Sequence, residues 1–155
     1  MQDENVLFRS FKGIAFISIA PLIGLTASLW FTSDNTAYFV AHLGQIYFSI
    51  ILFFLSGNIW SVRNIRNSKY KKKLTLISFI PPSVAIMGAF LSIYTNPAWG
   101  MAFLLSAVYM ARHVTLINSM VAFFPNNFQD LINKISIILC ICLMLILTYW
   151  INPYT

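Results

Sequence analysis

Few side chains in this sequence are able to do chemistry, and those few sit in apolar surroundings. Tyr38, His42, Gln45, Ser49, Ser56 and Trp60 recur at intervals of three, four or seven residues. At about 100° per residue this spacing puts all six on one narrow face of a helix, with Asn58 pointing roughly the opposite way. A polar face of this kind has two uses. It can make interhelical hydrogen bonds, each contributing about 0.6 kcal/mol, or it can wall a polar pocket or proton path.

Arg112 and His113 form a second candidate pair, about 15 residues into an apolar stretch and hence near its far end. A guanidinium at that depth marks a functional position unless it reaches the interface or an acid. Asp130 is the acid in range, so the sequence pairs Arg112 with Asp130. A metal or haem shared by His42 and His113 is not expected, because their helices run in the same direction and place them about 15 Å apart in depth. Cys140 and Cys142 are two residues apart and diverge on a helix, which makes them small apolar filler. The sequence contains no nucleophile elbow, phosphate loop, HExxH or paired intramembrane carboxylates. No catalytic residue, metal site or cofactor is therefore predicted, and the residue pattern leans away from an enzyme.

The elements that must position these side chains follow from composition. The 155 residues are 59% apolar and 9% charged, whereas a soluble domain carries about a quarter of its residues charged. Five apolar stretches approach the roughly 20 residues that cross a hydrocarbon core. They run from about Gly13 to Phe31, Thr36 to Val62, Leu74 to Tyr94, Pro97 to Ser119 and Leu131 to Ile151. The first is too long for a secretory h-region and no A-x-A site follows it, so it is expected to remain as a span. The prediction is all-α: one integral membrane domain over 1–155, a bundle of five transmembrane helices with short connections that make neighbours antiparallel.

The formal charge of +6 is distributed unevenly. Arg63, Arg66, Lys69, Lys71, Lys72 and Lys73 fall between the second and third spans, Arg9 and Lys12 precede the first, and Lys134 opens the fifth. All of these lie on one side under the five-span count, and the positive-inside rule makes that side cytoplasmic or matrix. The N-terminus is then cytoplasmic and the C-terminus outside. The basic loop can also touch anionic headgroups, but it has no aromatic stacking platform, so nucleic acid is not an expected partner.

Packing signals are also present. Ala20, Gly24 and Ser28 form a small-residue ladder beside Pro21, where a partner helix is expected. Pro81 and Pro82 free carbonyls that need cover, which argues that the third span sits inside the bundle, and Gly88 with Ser92 supplies a second small pair. Asn96 can cap a helix that starts at Pro97. Trp30, Tyr38, Trp60, Trp99, Tyr149 and Trp150 lie near predicted helix ends, where interfacial rings are favoured.

Several short segments resemble those of one family. LFFLSGNIWS at 52–61, with Gly57, Asn58 and Trp60, resembles the FLGGxHWG-like signature of domain-of-unknown-function family 3429, small multipass proteins of proteobacteria with a mitochondrial inner-membrane relative. IAPLIGL, with Pro21, resembles its G-x-x-P-F segment, and SFIPPSVAIMGAF its Pro-containing third span. PNNFQDLINKISIIL, opening at Pro125, is similar to its P-x-W-Y-x-x-L-R-x-x-L-T segment. Ile132 stands where the family has Arg, and Ser56, Asn58 and Ser61 stand where it tends to have Gly, His and Gly. The resemblance implies the same membrane topology and supplies no reaction.

The function expected first is a non-enzymatic accessory, assembly or interaction protein of the bacterial inner membrane, touching other membrane proteins or a second copy of itself. The mitochondrial inner membrane is the alternative location. A small transporter or channel subunit, with a polar path along the second span and Arg112, is the second expectation. A lipid- or quinone-binding protein or intramembrane enzyme built on His42, Arg112 and His113 is the third.

Overall fold

A computed structural model describes residues 2–65, 71–115 and 126–152. Side chains are described from Lys12 onward, except at 58–65, 71–74, 77, 114–115 and 126. Among the described residues the chain is all-helical. Helix α1 spans Gln2–Ser28 and is followed by a 3-10 turn, Leu29–Phe31. Then come α2 (Asp34–Ile65), α3 (Lys71–Tyr94), α4 (Pro97–Thr115) and α5 (Asn126–Ile151).

Four of these helices, α1, α2, α3 and α5, extend beyond the apolar stretches that announce them. A helix keeps its backbone bonds as it passes from apolar into polar sequence, so hydropathy marks the apolar part and not the ends. Thus α1 begins well before Gly13, α2 runs past Val62, and α5 starts five residues before Leu131. Residues 116–119 of the fourth predicted span lie outside the described residues.

Two tight turns join helices at one end of the bundle. At the first, Thr32 is extended, Ser33 Oγ and Thr36 Oγ1 are 3.2 Å apart, and the Ala37 amide donates to the Ser33 carbonyl at 2.8 Å. At the second, the Ala98 amide donates to Asn96 Oδ1 at 2.9 Å, so Asn96 caps α4 and Pro97 occupies its first turn, as its missing donor allows.

The helices form a closed ring. Each packs against its sequence neighbours, α1 also meets α5, and α2 touches α4 across the middle. Lys12, Arg112 and Lys134 fall at one end of this ring, where α3 also begins at Lys71; the two tight turns and Asp34 mark the other. We call these the basic end and the turn end. Cross-helix hydrogen bonds include Tyr47 Oη to the Ser18 carbonyl (2.6 Å) and Arg112 Nε to Asn133 Oδ1 (2.9 Å).

The outer surface is apolar. Phe31, Ile50, Phe54, Phe79, Ile93 and Met144 are exposed, whereas Thr26, Gln45, Ser56, Ser78, Ser92 and Ser136 are buried. Three helical segments, Lys12–Phe31, Asp34–Gly57 and Asn127–Ile151, are long and apolar enough to cross a membrane, and Ser78–Tyr94 is a shorter apolar stretch.

Two packing expectations need correction. Ala20, Pro21 and Gly24 are exposed, and a Cβ built on Gly24 meets nothing within 4 Å. Helix α1 instead seats Ile19, Leu22, Thr26 and Leu29 inward, a face that offers larger side chains to the core. A Cβ built on Gly57 likewise meets nothing within 4 Å among the described residues. Finally, α3 is not enclosed: Ser78, Pro81, Pro82, Ala85 and Ser92 point inward, while Phe79, Ile86, Phe90 and Ile93 point out.

The closest described glycine contacts set α4 against α3 and against Gln45 of α2. A Cβ on Gly88 would lie 2.8 Å from Phe103 Cβ and 3.1 Å from the Gly100 carbonyl oxygen. On Gly100 it would lie 2.6 Å from Ser92 Cβ and 2.5 Å from Gln45 Nε2. Overpacking at such a point costs about 1–3 kcal/mol, because Cβ atoms cannot swing aside. Gly100→Ala is therefore expected to lower the unfolding free energy in detergent by that amount, read as a lower midpoint, whereas Gly24→Ala leaves the midpoint unchanged or slightly raised. Equal midpoints for the two variants would show that this crossing does not hold α3 and α4 together.

Candidate functional site

The polar face predicted on α2 divides in the structure. Tyr38, His42, Gln45 and Ser49 line a cleft of about 630 Å3 between α2 and α3, opposite Ala85, Ala89 and Phe90. Ser56 is buried further along the same helix, and its Oγ has no hydrogen-bond partner among the described residues. The side chains of Asn58 and Trp60 lie outside those described.

Within the cleft the polar groups gather toward the turn end. Ser92 Oγ of α3 lies 3.5 Å from His42 Nδ1, at the limit of hydrogen bonding. The Tyr38 ring meets the His42 ring edge-on at 4.4 Å and the Trp150 ring at 6.2 Å. Deeper in, the lining becomes apolar through Ile46, Ile50, Phe53 and Ile86, all of them exposed on their outer sides. The cleft therefore opens sideways, through the apolar girdle of the bundle.

Gln45 is the most constrained of the four. It is 3% exposed, its Nε2 packs against Gly100, and that nitrogen has no hydrogen-bond partner among the described residues. A buried donor in this state costs about 1–3 kcal/mol. Ser49, by contrast, donates to the Gln45 carbonyl on its own helix at 2.8 Å. The hydroxyls of Thr26, Ser83 and Thr148 do the same, each reaching the carbonyl four residues back. The interhelical bonding expected of the polar face is thus confined to the Ser92–His42 contact, within the described part of that face.

Arg112 and His113 do not join the cleft. The bond that Arg112 makes to α5 goes to Asn133 Oδ1 at 2.9 Å, one turn beyond Asp130. Asp130 is exposed and instead lines a small polar cleft with Lys12, Asn127 and Lys134. Asn133 has a legible signal, an amide three residues from Asp130 and so on the same side of the helix. His113 is exposed, its ring parallel to that of Tyr109 at 6.4 Å, one turn back on α4. Of the predicted site residues, the structure unites His42, Gln45 and Ser49, with Tyr38 beside them.

The aromatic residues at the turn end are only partly an outer belt. Trp30, Tyr38 and Trp99 are exposed, but Tyr149 is 6% exposed and packs edge-on to Trp30 and Trp150 at 5.6 and 5.5 Å. These contacts bind the 3-10 turn, α2 and α5 together. Packing claims the Tyr149 ring because it falls on the inward face of α5. Pro125, Arg66 and Lys69 lie outside the described residues, as do the side chains of Arg63, Lys71, Lys72 and Lys73. No group of three or more His, Cys, Asp or Glu side chains able to hold a metal occurs among the described residues.

Gln45→Met keeps the length of the side chain and removes the orphan donor. It is expected to raise stability by about 1 kcal/mol, read as a higher unfolding midpoint in detergent. A fall of similar size would mean that the amide is bonded in the folded protein.

The chain matches no protein-family model, no curated protein and no solved structure.

Proposed function

We propose that this chain is a five-span membrane protein that works by binding within the bilayer, as a non-enzymatic accessory, assembly or interaction protein. The observation that carries the membrane part is the inverted surface: large apolar side chains face out while Gln45 and four serines are buried. In water an apolar surface of this extent drives association, whereas in lipid it is the solvated face. Its basic end faces the cytoplasm, since Lys12, Arg112 and Lys134 share that end while the turn end carries Asp34. The N-terminus is then inside and the C-terminus outside. The bacterial inner membrane is the proposed location, with the mitochondrial inner membrane, matrix replacing cytoplasm, as the other candidate.

Binding is favoured over catalysis by the separation of the polar groups. Arg112 is held by Asn133 and His113 lies against Tyr109, away from His42 and Gln45, so these side chains do not converge on one reacting atom. A second use of the cleft has its own support. Its polar groups cluster at one end and its apolar rim opens sideways, a form that suits an amphipathic membrane molecule better than a through-path for solutes.

Cysteine labelling in a Cys140→Ser/Cys142→Ser background, carbonate extraction and native co-purification test these proposals. Asn35→Cys is expected to react with an impermeant maleimide on intact cells, and Lys134→Cys only after permeabilisation. The reverse pattern overturns the orientation, and release of the protein by carbonate overturns insertion. Native co-purification in mild detergent is expected to retain a protein partner or a second copy; a strictly monomeric, partnerless species removes the accessory role. For the cleft, Ser49→Cys is expected to react with a lipid-soluble maleimide and to resist a charged thiosulfonate. Rapid attack by the charged reagent would favour the transport path instead.

A further inference from the structure

At the basic end, α1, α2 and α5 enclose an apolar groove of about 320 Å3. Its walls include Ala15 and Ile19 of α1, Ile51 and Leu55 of α2, and Ile132 and Ile135 of α5. Toward the middle of the bundle Tyr47 and Ser18 also line it, and the bond from Tyr47 Oη to the Ser18 carbonyl ties α2 to α1 there. The groove opens outward past the exposed side chains of Ile14, Ile50 and Phe54.

A second, polar cleft of about 130 Å3 adjoins it, lined by Lys12, Asn127, Asp130, Leu131 and Lys134. Leu131 lines both, so an apolar channel and a polar mouth share one wall. Two ammonium groups face one carboxylate in this mouth, leaving a net positive charge. Helix α5 begins at Asn126, so the positive end of its dipole adds to that field. Asn127 and Asp130 supply acceptors suited to a hydroxyl-bearing headgroup.

We propose that this composite groove holds one anionic phospholipid from the leaflet at the basic end. Its phosphate sits between Lys12 and Lys134 and one acyl chain lies along the groove. Charge complementarity selects the head and the apolar walls select the chain. The site lies across α2 from the α2–α3 cleft, with Ile50 lining both spaces. It rests on the membrane insertion proposed above, which carbonate extraction tests separately: a protein that stays in the membrane but shows no lipid preference would defeat this site alone.

The experiment uses the full chain, delipidated in detergent, with phosphatidylglycerol or phosphatidylcholine of identical acyl chains, read by native mass spectrometry and by thermal midpoint. Phosphatidylglycerol is expected to remain bound as a single molecule and to raise the midpoint, with phosphatidylcholine much weaker. Lys12→Gln/Lys134→Gln is expected to weaken phosphatidylglycerol roughly thirtyfold, about fivefold per lysine, with the lipid-free midpoint unchanged. Ser18→Phe, which fills the groove and leaves the mouth intact, is expected to abolish retention. Lys71→Gln/Lys72→Gln/Lys73→Gln serves as the control and is expected to keep the preference. Equal binding of the two lipids, or loss of preference only in the control, overturns the proposal. A shift by inorganic phosphate as large as that by phosphatidylglycerol overturns the assignment to a lipid.

Discussion

The arrangement of this bundle depends on how closely α3 can approach α4. Gly88 lies against the Gly100 backbone, and Gly100 lies against Ser92 and Gln45. No side chain larger than hydrogen fits at either glycine without displacing a neighbour. In lipid, where burying apolar surface gives little net drive, such close contact is a main source of attraction between helices. The same contact brings α2 into the arrangement, since the Gln45 amide fills the space beside Gly100. The cleft between α2 and α3 is a consequence. With α3 drawn onto α4, its small residues Ala85 and Ala89 line the gap toward α2, and His42 meets Ser92 only at the turn end.

Much of this was legible in the sequence, for identifiable reasons. Helix number and order follow from hydropathy, because a membrane-length apolar stretch has few alternatives to a helix. Asn96 and Pro97 gave the start of α4 because capping is local chemistry. Gly88 and Ser92 were recognisable as a packing pair, but so were Ala20, Gly24 and Ser28, and the two sets met opposite fates. Small residues permit close approach without requiring it. Whether the permission is used depends on what the facing helix presents: Gly100 faces Gly88, while the core side of α1 offers Ile19, Leu22 and Leu29 to its neighbours. Gly100 itself was not singled out, since one glycine in an apolar helix carries no mark of its partner.

The polar face on α2 was legible as a face but not as a set of contacts. Hydrogen-bonding capacity does not fix direction, and a serine or threonine in a helix can always return to the carbonyl four residues back. Ser49 does so, which leaves Tyr38, His42 and Gln45 as the α2 groups of the cleft whose side chains reach toward other helices. Arg112 follows the same logic at the basic end. A long flexible donor in a low-dielectric setting takes the acceptor best placed by packing, and Asn133 occupies that position ahead of the charged Asp130. Asp130 remains among the lysines at the surface, where its charge is solvated.

Helix α2 separates two unlike spaces. Ile50 lines both the cleft shared with α3 and the groove shared with α1 and α5. The cleft has its polar groups near the turn end and the groove has its own near the basic end, so the two are inverted relative to one another across a single helix. This inversion follows from the positions of the polar residues. His42 lies in the first third of α2, close to the turn end where that helix begins, whereas Lys12 and Lys134 lie where α1 and α5 emerge at the basic end. Each space is therefore polar near its own end of the bundle and apolar toward the middle. Amphipathic molecules in a bilayer have that same polarity, with opposite sense in the two leaflets. Under the proposed insertion, a bundle with one such space toward each end contacts both leaflets without a continuous polar path between them, so binding at either end need not open a route through the membrane.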